Sequence, residues 1–266
     1  MLQKVVMAAD LLKSISLSLK LNEQRMTKVE AIKKVMEDNE GTATWDIIYN
    51  SIGKYYPAAK EMKEWQAGIR GVLYREIKNK QNFKKIGFGI FALKEYEEEK
   101  PEIFIEKSPV RMHSFIEGIC LELGNFEQFD TYTPDPTAIF KDNIVLSNLR
   151  TINSLPPFTY GEILGVAKRI DVLWFNKAGF KFPKRAFEIV DSIGTLGEAL
   201  SRTYQLIEFD LDFHIVGSRD NKEKFQNKVA KEPYIRVANR YKYQNYEEII
   251  DYYDKRLELE NFSLFK

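Results

Sequence analysis

A single cysteine, Cys120, and only two histidines, His113 and His214, occur in a chain of 266 residues. One thiol cannot close an internal disulfide, so the expected compartment is the cytoplasm. The same scarcity excludes zinc fingers, zinc ribbons and the zincin chemistries, because their ligands are missing. A metal bound by this chain would be held mainly by carboxylates, which favours Mg²⁺, with Mn²⁺ as the alternative. No uncharged apolar run approaches the ~18–20 residues of a membrane span. The apolar stretch near the start is interrupted by Asp10 and Lys13 and has no small-residue cleavage site, so neither a signal peptide nor a membrane association is expected. No internal repeat and no low-complexity tract is found.

Neither charge is in excess. The 40 Lys and Arg residues balance 39 Asp and Glu residues, for a net charge of +1. The distribution is less even. Lys54 to Lys94 holds ten basic residues against three acidic ones, and Arg219 to Lys242 holds eight against three. A neutral total therefore hides two basic stretches. The hydrophobic fraction of 44% is enough for a buried core. The length suits about two domains. The charged stretch Glu95–Pro101 reads as a linker between them, giving an N-terminal helix over 1–25, a small domain over 26–96 and a larger one over 97–266.

Leu2, Val5, Ala9, Leu12, Ser16 and Leu19 recur at spacings of three and four, which predicts an amphipathic helix with a narrow apolar stripe. That stripe packs either on its own domain or on a second copy of the chain. A capping box at Thr27 and Glu30 starts the next helix. Trp45, Ile48 and Ile52 mark a third. Met62, Trp65, Ile69, Val72, Leu73 and Ile77 form the apolar face of a fourth, whose opposite face carries Lys60, Lys63, Arg70, Arg75 and Lys78. Phe83–Leu93 then reads as a hairpin with Lys84 and Lys85 on its first strand. Its glycines formally match G-x-G-x-x-A. With no βαβ unit around them, they are assigned to the hairpin turn.

Helices followed by a basic hairpin describe a winged helix, in which the last helix and the wing reach DNA. Residues 26–93 resemble the HARE-HTH winged-helix domain on three features: Glu30-Ala31-Ile32, Trp45-Asp46-Ile47-Ile48, and the ending Phe83-Lys84-Lys85-Ile86-Gly87-Phe88-Gly89-Ile90-Phe91-Ala92-Leu93. The resemblance implies double-stranded DNA as partner and Lys60, Lys63, Arg70, Arg75, Lys84 and Lys85 as the side chains that meet it.

In the larger domain, Met112 to Leu123 has helical spacing, carries Glu117, and is expected to stop at Gly124. A short strand is expected at Glu127–Thr133. An insertion over Thr137–Gly165 precedes strands at 169–175 and 186–190, a helix at 194–208 and a strand at 213–217. Helices at 221–230 and 246–259 flank a last strand near 235–243. Asp171 and Glu188 each fall inside an apolar strand, seventeen residues apart. A carboxylate there is costly unless it is paired or binds a cation. Each of them either faces solvent or pairs with Arg169, Lys184 or Arg185, or the two together hold a metal. His214 and Cys120 read as core residues, and His113 as the cap of its helix.

Ile170-Asp171-Val172-Leu173-Trp174 followed by Ala186-Phe187-Glu188-Ile189-Val190-Asp191-Ser192 resembles the PD-(D/E)XK nucleases of restriction type. The helix, three strands, helix, strand order is that of their restriction-endonuclease-like core. The resemblance implies an α+β or α/β mixed sheet flanked by helices. It also implies a type II-like, Mg²⁺-dependent restriction endonuclease that hydrolyses DNA phosphodiesters. Asp171, Glu188 and Glu117 would be the metal ligands, and Arg202 and Gln205 would give possible support. Where the family places Lys or Glu, this chain has Val190, and Lys184 is the candidate substitute in catalysis. A second possibility is a winged-helix DNA-binding protein with a degenerate, inactive nuclease-like domain. A third is an RNA or DNA-repair nuclease of the same fold. A restriction role implies a homodimer, with residues 2–19 as a candidate seam, and a cognate DNA methyltransferase system.

Overall fold

The computed structural model describes residues 26–98 and 109–263, apart from positions 62, 142 and 193. The expected helix over 1–25, with its dimer seam, lies outside the described residues, as does the linker from 99 on. The protein is of mixed α and β composition, and none of its described helices is long and apolar enough to cross a membrane.

The first unit begins with α1 (Lys28–Glu37), capped by Thr27, whose hydroxyl accepts from Glu30 N–H while the Glu30 carboxylate accepts from Thr27 N–H. Gly41, at φ +91°, turns the chain into β1 (Thr42–Thr44), a strand the sequence did not announce. Then come α2 (Trp45–Tyr55), a 3₁₀ turn over Pro57–Glu61, α3 (Trp65–Lys78), β2 (Phe83–Lys85) and β3 (Ile90–Leu93). The three strands form an antiparallel sheet in the order β1-β3-β2. Ile32, Val35, Ile48, Ile52, Ile69, Leu73 and Phe91 close its core.

The second unit opens with α4 (Pro109–Phe126) and β4 (Phe129–Tyr132). The expected insertion contains a small hairpin, β5 (Ile139–Lys141) with β6 (Ile144–Val145), and the short helix α5 (Gly161–Ala167). Then follow β7 (Val172–Asn176), β8 (Pro183–Val190), α6 (Leu196–Tyr204), β9 (Asp212–Gly217), α7 (Lys222–Val229), β10 (Tyr241–Asn245) and α8 (Tyr246–Ser263). The sheet order is β10-β9-β8-β7-β4. β4, β7 and β8 run antiparallel to one another in turn, and β9 and β10 continue parallel to β8.

Alternation along these strands divides the core. Val172, Trp174, Phe187, Ile189 and Val216 face α4 and α8. Leu173, Phe175, Ala186, Val190, Phe213 and Ile215 face α6 and α7. α4 runs through Gly124 to Phe126 instead of ending there. Gly124 is a packing residue: a methyl group on it would stand 2.6 Å from the Thr131 side chain and 2.8 Å from the Trp174 indole. Gly118, earlier on the same helix, lets the Phe140 ring approach at least as closely.

The two units share one core. Ile86, Ile90 and Ala92 of the first hairpin pack in the same apolar cluster as α4 and α8. Phe88 stacks on Phe126 and meets Tyr253 edge-on. Buried Glu122 of α4 accepts from Phe88 N–H (3.3 Å), Gly89 N–H (3.1 Å) and the Tyr253 hydroxyl. A methyl group at Gly87 would come within 2.6 Å of that carboxylate, so this turn glycine serves close approach.

Candidate functional site

Strand register explains how the acidic residues meet. Val172 pairs with Phe187, so Asp171, one residue before β7, lies across from Glu188. Asp171 therefore sits at the mouth of the sheet and not inside a strand. Its Oδ2 accepts from Ile189 N–H at 2.7 Å, and it turns toward α4. There His113 and Glu117, four residues apart, project from one helical face. The ligand atoms of His113, Glu117 and Asp171 all lie within 4.8 Å of one another.

His113 is held at both nitrogens. Nδ1 is 2.9 Å from Asp191 Oδ2, and Nε2 is 3.6 Å from Asp171 Oδ2. The Tyr246 hydroxyl donates to the other Asp191 oxygen at 3.1 Å. Glu117 is 3% exposed and accepts from Thr133 Oγ1 at 3.2 Å. Burial and the neighbouring Asp171 and Asp135 charges push Glu117 up to about 8, against the pull of His113. Burial also raises Asp171. For His113 burial works against the charge, but the Asp191 hydrogen bond and the Asp171 and Glu117 charges win, raising it to about 9. The cluster thus holds protons that relieve the repulsion between its carboxylates.

Glu188 is placed differently from the expectation. It alternates with Phe187 and Ile189 and so points to the α6 side of the sheet, fully buried. Arg202 of α6 takes both of its oxygens: Nε donates to Oε1 at 2.8 Å and Nη2 to Oε2. Burial and the nearby Asp171 charge raise Glu188, against the pull of the Arg202 guanidinium and of His113. Two oxygens accepting from one fork require the carboxylate form, so we take Glu188 as ionised. The expected set of Asp171, Glu188 and Glu117 is thereby split. Asp171 and Glu117 come together with His113, while Glu188 belongs to Arg202.

Lys184 does not reach this place. It sits at the irregularity in the β7–β8 register, at the far end of β8, and pairs with Asp210 at 3.2 Å. Four strand residues, about 13 Å, separate it from Glu188. Gln205 is exposed just past the end of α6. Val190 is buried on the α6 side, where a lysine would have no water.

A cleft of about 610 Å³ opens beside the cluster, lined by Val110, Ser114, Asp135, Thr137, Ile139 and Asp191 together with His113 and Glu117. Sequence reasoning missed His113, Asp135 and Asp191 as site residues. The i, i+4 spacing of His113 and Glu117 was the signal available for the first.

The basic face of the first unit is partly as expected. Lys60, Lys63, Arg70, Arg75 and Lys78 are exposed on and before α3. Arg70 donates to the Tyr49 hydroxyl at 3.1 Å. Lys84 is half-buried, 4.0 Å from Glu98. Lys85 is a correction: its side chain is 2% exposed and paired with Glu260 of α8. The hairpin carrying it packs on the second unit, which removes Lys85 from any open surface.

No family model, curated protein or solved structure matches this chain.

Proposed function

We propose that the chain is a divalent-metal-dependent endonuclease acting on double-stranded DNA. In this reading residues 26–96 are a winged-helix reader and the second unit is a restriction-endonuclease-like domain. The reading is carried by one observation: the His113, Glu117 and Asp171 ligand atoms gather within 4.8 Å at the mouth of a helix-βββ-helix-β sheet. The order α1-β1-α2-α3-β2-β3 with sheet β1-β3-β2 supports the winged-helix part.

The donor set fits a small divalent cation. Two carboxylates and one imidazole suit Mn²⁺ as well as Mg²⁺, and a cation would take over the charge relief that protons now provide. When bound, it would polarise the phosphodiester and acidify a water. The chain's own residues do the rest. Asp191 fixes the ring orientation of His113 and holds its Nδ1 proton, leaving Nε2 directed at the cluster. The Ile189 N–H anchors Asp171.

The Arg202 clamp on Glu188 favours a second reading, a DNA-binding protein that does not cut. A guanidinium occupying both oxygens removes one ligand, and Val190 supplies no lysine to position a water. Duplex DNA, unmodified and methylated, incubated with and without Mg²⁺ or Mn²⁺, separates the two. Metal-dependent scission lost in Asp171→Asn with DNA affinity retained supports the nuclease. Binding without scission under every metal supports the second reading.

A further inference from the structure

The second basic stretch, Arg219–Lys242, begins on the same edge of the sheet as the carboxylate cluster. β9 runs parallel to β8 with Gly217 opposite Val190, so Ser218 and Asp191 leave the sheet side by side, about one strand spacing apart. The Tyr243 hydroxyl donates to Ser218 C=O at 2.6 Å and Tyr246 donates to Asp191, which ties the two exits to β10 and α8. From this turn α7 departs. Phe225 and Val229 are buried, and Arg219, Lys222, Lys224, Lys228 and Lys231 are all exposed. Lys222 is loosely paired with Glu248 at 3.9 Å. Among the described residues, no carboxylate stands within ion-pair distance of Arg219, Lys224, Lys228 or Lys231. Lys228 extends back over the first turn of α6, its ammonium 2.6 Å from where a Cβ on Gly197 would stand.

We propose that this face of α7 is a docking surface for the phosphate backbone of duplex DNA, separate from α3. The proposal rests on the reading that the chain acts on DNA, and charge complementarity carries it. α7 leaves from the edge that carries the cluster and packs on the α6 side of the sheet, where its exposed lysines form a basic face, and counter-ion release on meeting phosphates gives them their binding free energy.

The test uses the full chain, a short fluorescent duplex DNA, chelator in place of metal, and a salt titration. Three proteins are compared: the natural chain, a Lys224→Gln, Lys228→Gln, Lys231→Gln variant, and an Arg70→Gln, Arg75→Gln variant. All substituted positions are exposed, and unchanged melting temperatures verify folding. The slope of log K against log salt is expected to shrink by about 0.9 for each phosphate that is no longer neutralised, so by up to about 2.7 in the α7 variant. An unchanged slope in the α7 variant, with a reduced one in the α3 variant, overturns this proposal and leaves the DNA reading standing. No binding by the natural chain overturns both.

Discussion

Arg202 and Glu188 form a two-point, largely buried ion pair. The carboxylate is fully buried and the guanidinium side chain is 22% exposed. Removing one partner of such a pair leaves a desolvated charge behind, which costs about 3–5 kcal/mol. Arg202→Met is therefore expected to lower unfolding free energy by that amount in urea titrations. Arg202→Lys should recover only part of it, because an ammonium cannot reproduce the two-oxygen fork. Arg202→Met combined with Glu188→Leu should recover most, since the buried charge is then gone. A single Arg202→Met variant as stable as the natural chain would mean that Glu188 is already protonated. The same local packing explains Val190. The C-terminal half of β8 is buried on both faces, so position 190 follows the demands of the α6 interface. Packing thus accounts for the valine at position 190.

At the scale of elements, His214 on β9 gives a pH dependence with a definite sign. Its ring stacks on Phe187, with centroids 4.6 Å apart. Nδ1 meets Gln244 at 3.1 Å, and Nε2 is buried without a partner. Burial lowers its pKa to about 4. The unfolded chain, near 6.5, takes up the proton first, so the contribution of His214 is fully present above about pH 6.5. It is lost as pH falls toward 4, by about 3 kcal/mol in all. Glu117 and Asp171, with raised folded pKa values, act in the opposite direction. The comparison is therefore between natural chain and His214→Phe, in denaturant titrations at pH 7.5 and pH 4.5. The variant is expected to lose less stability on acidification than the natural chain.

The elements themselves were largely legible. Strands expected at 169–175 and 186–190 occur as Val172–Asn176 and Pro183–Val190, because β-branched and aromatic runs between turn residues leave little choice. The last strand was expected near 235–243 and lies at Tyr241–Asn245, after a 3₁₀ segment over Tyr234–Arg240. Tyr234, Val237 and Ala238 of that segment pack on the α6 side of the core from a turn, where a strand pattern alone could not place them. β1 is too short to leave a pattern at all. Glu117 lies on the expected helix, and Asp171 lies one residue before the strand expected to hold it. Their meeting with His113, and the turning of Glu188 to the other face, depend on strand register and helix placement, which a linear pattern does not encode.

At the scale of the whole molecule, the division into a small and a large domain misses the seam between them. The hairpin read as a free wing is embedded. Phe88 is stacked on Phe126, Lys85 is paired with Glu260, Lys141 donates to Ile86 C=O, and Asn143 joins the Thr42 hydroxyl and Asn39 C=O. Glu122 organises the junction, and it lies on α4 five residues after Glu117. One helix therefore bears two of the three candidate metal ligands, His113 and Glu117, and the anchor of the first unit. If α3 reads DNA, its orientation relative to the cluster is set by a rigid element and not by the linker. Residues 26–98 alone would expose Ile86, Phe88 and Ile90, so the two units are expected to unfold in one transition, reported identically by tryptophan fluorescence and far-ultraviolet circular dichroism. Glu122→Ala removes the acceptor of two half-buried backbone N–H groups, which the adjoining cleft opens to water, and of the buried Tyr253 hydroxyl. At about 1–3 kcal/mol for a buried unsatisfied group, the stranded Tyr253 hydroxyl sets an expected loss of about 1–3 kcal/mol. That loss should shift the single transition to lower denaturant. Two separated transitions in the natural chain would show instead that the shared core is too weak to couple the units.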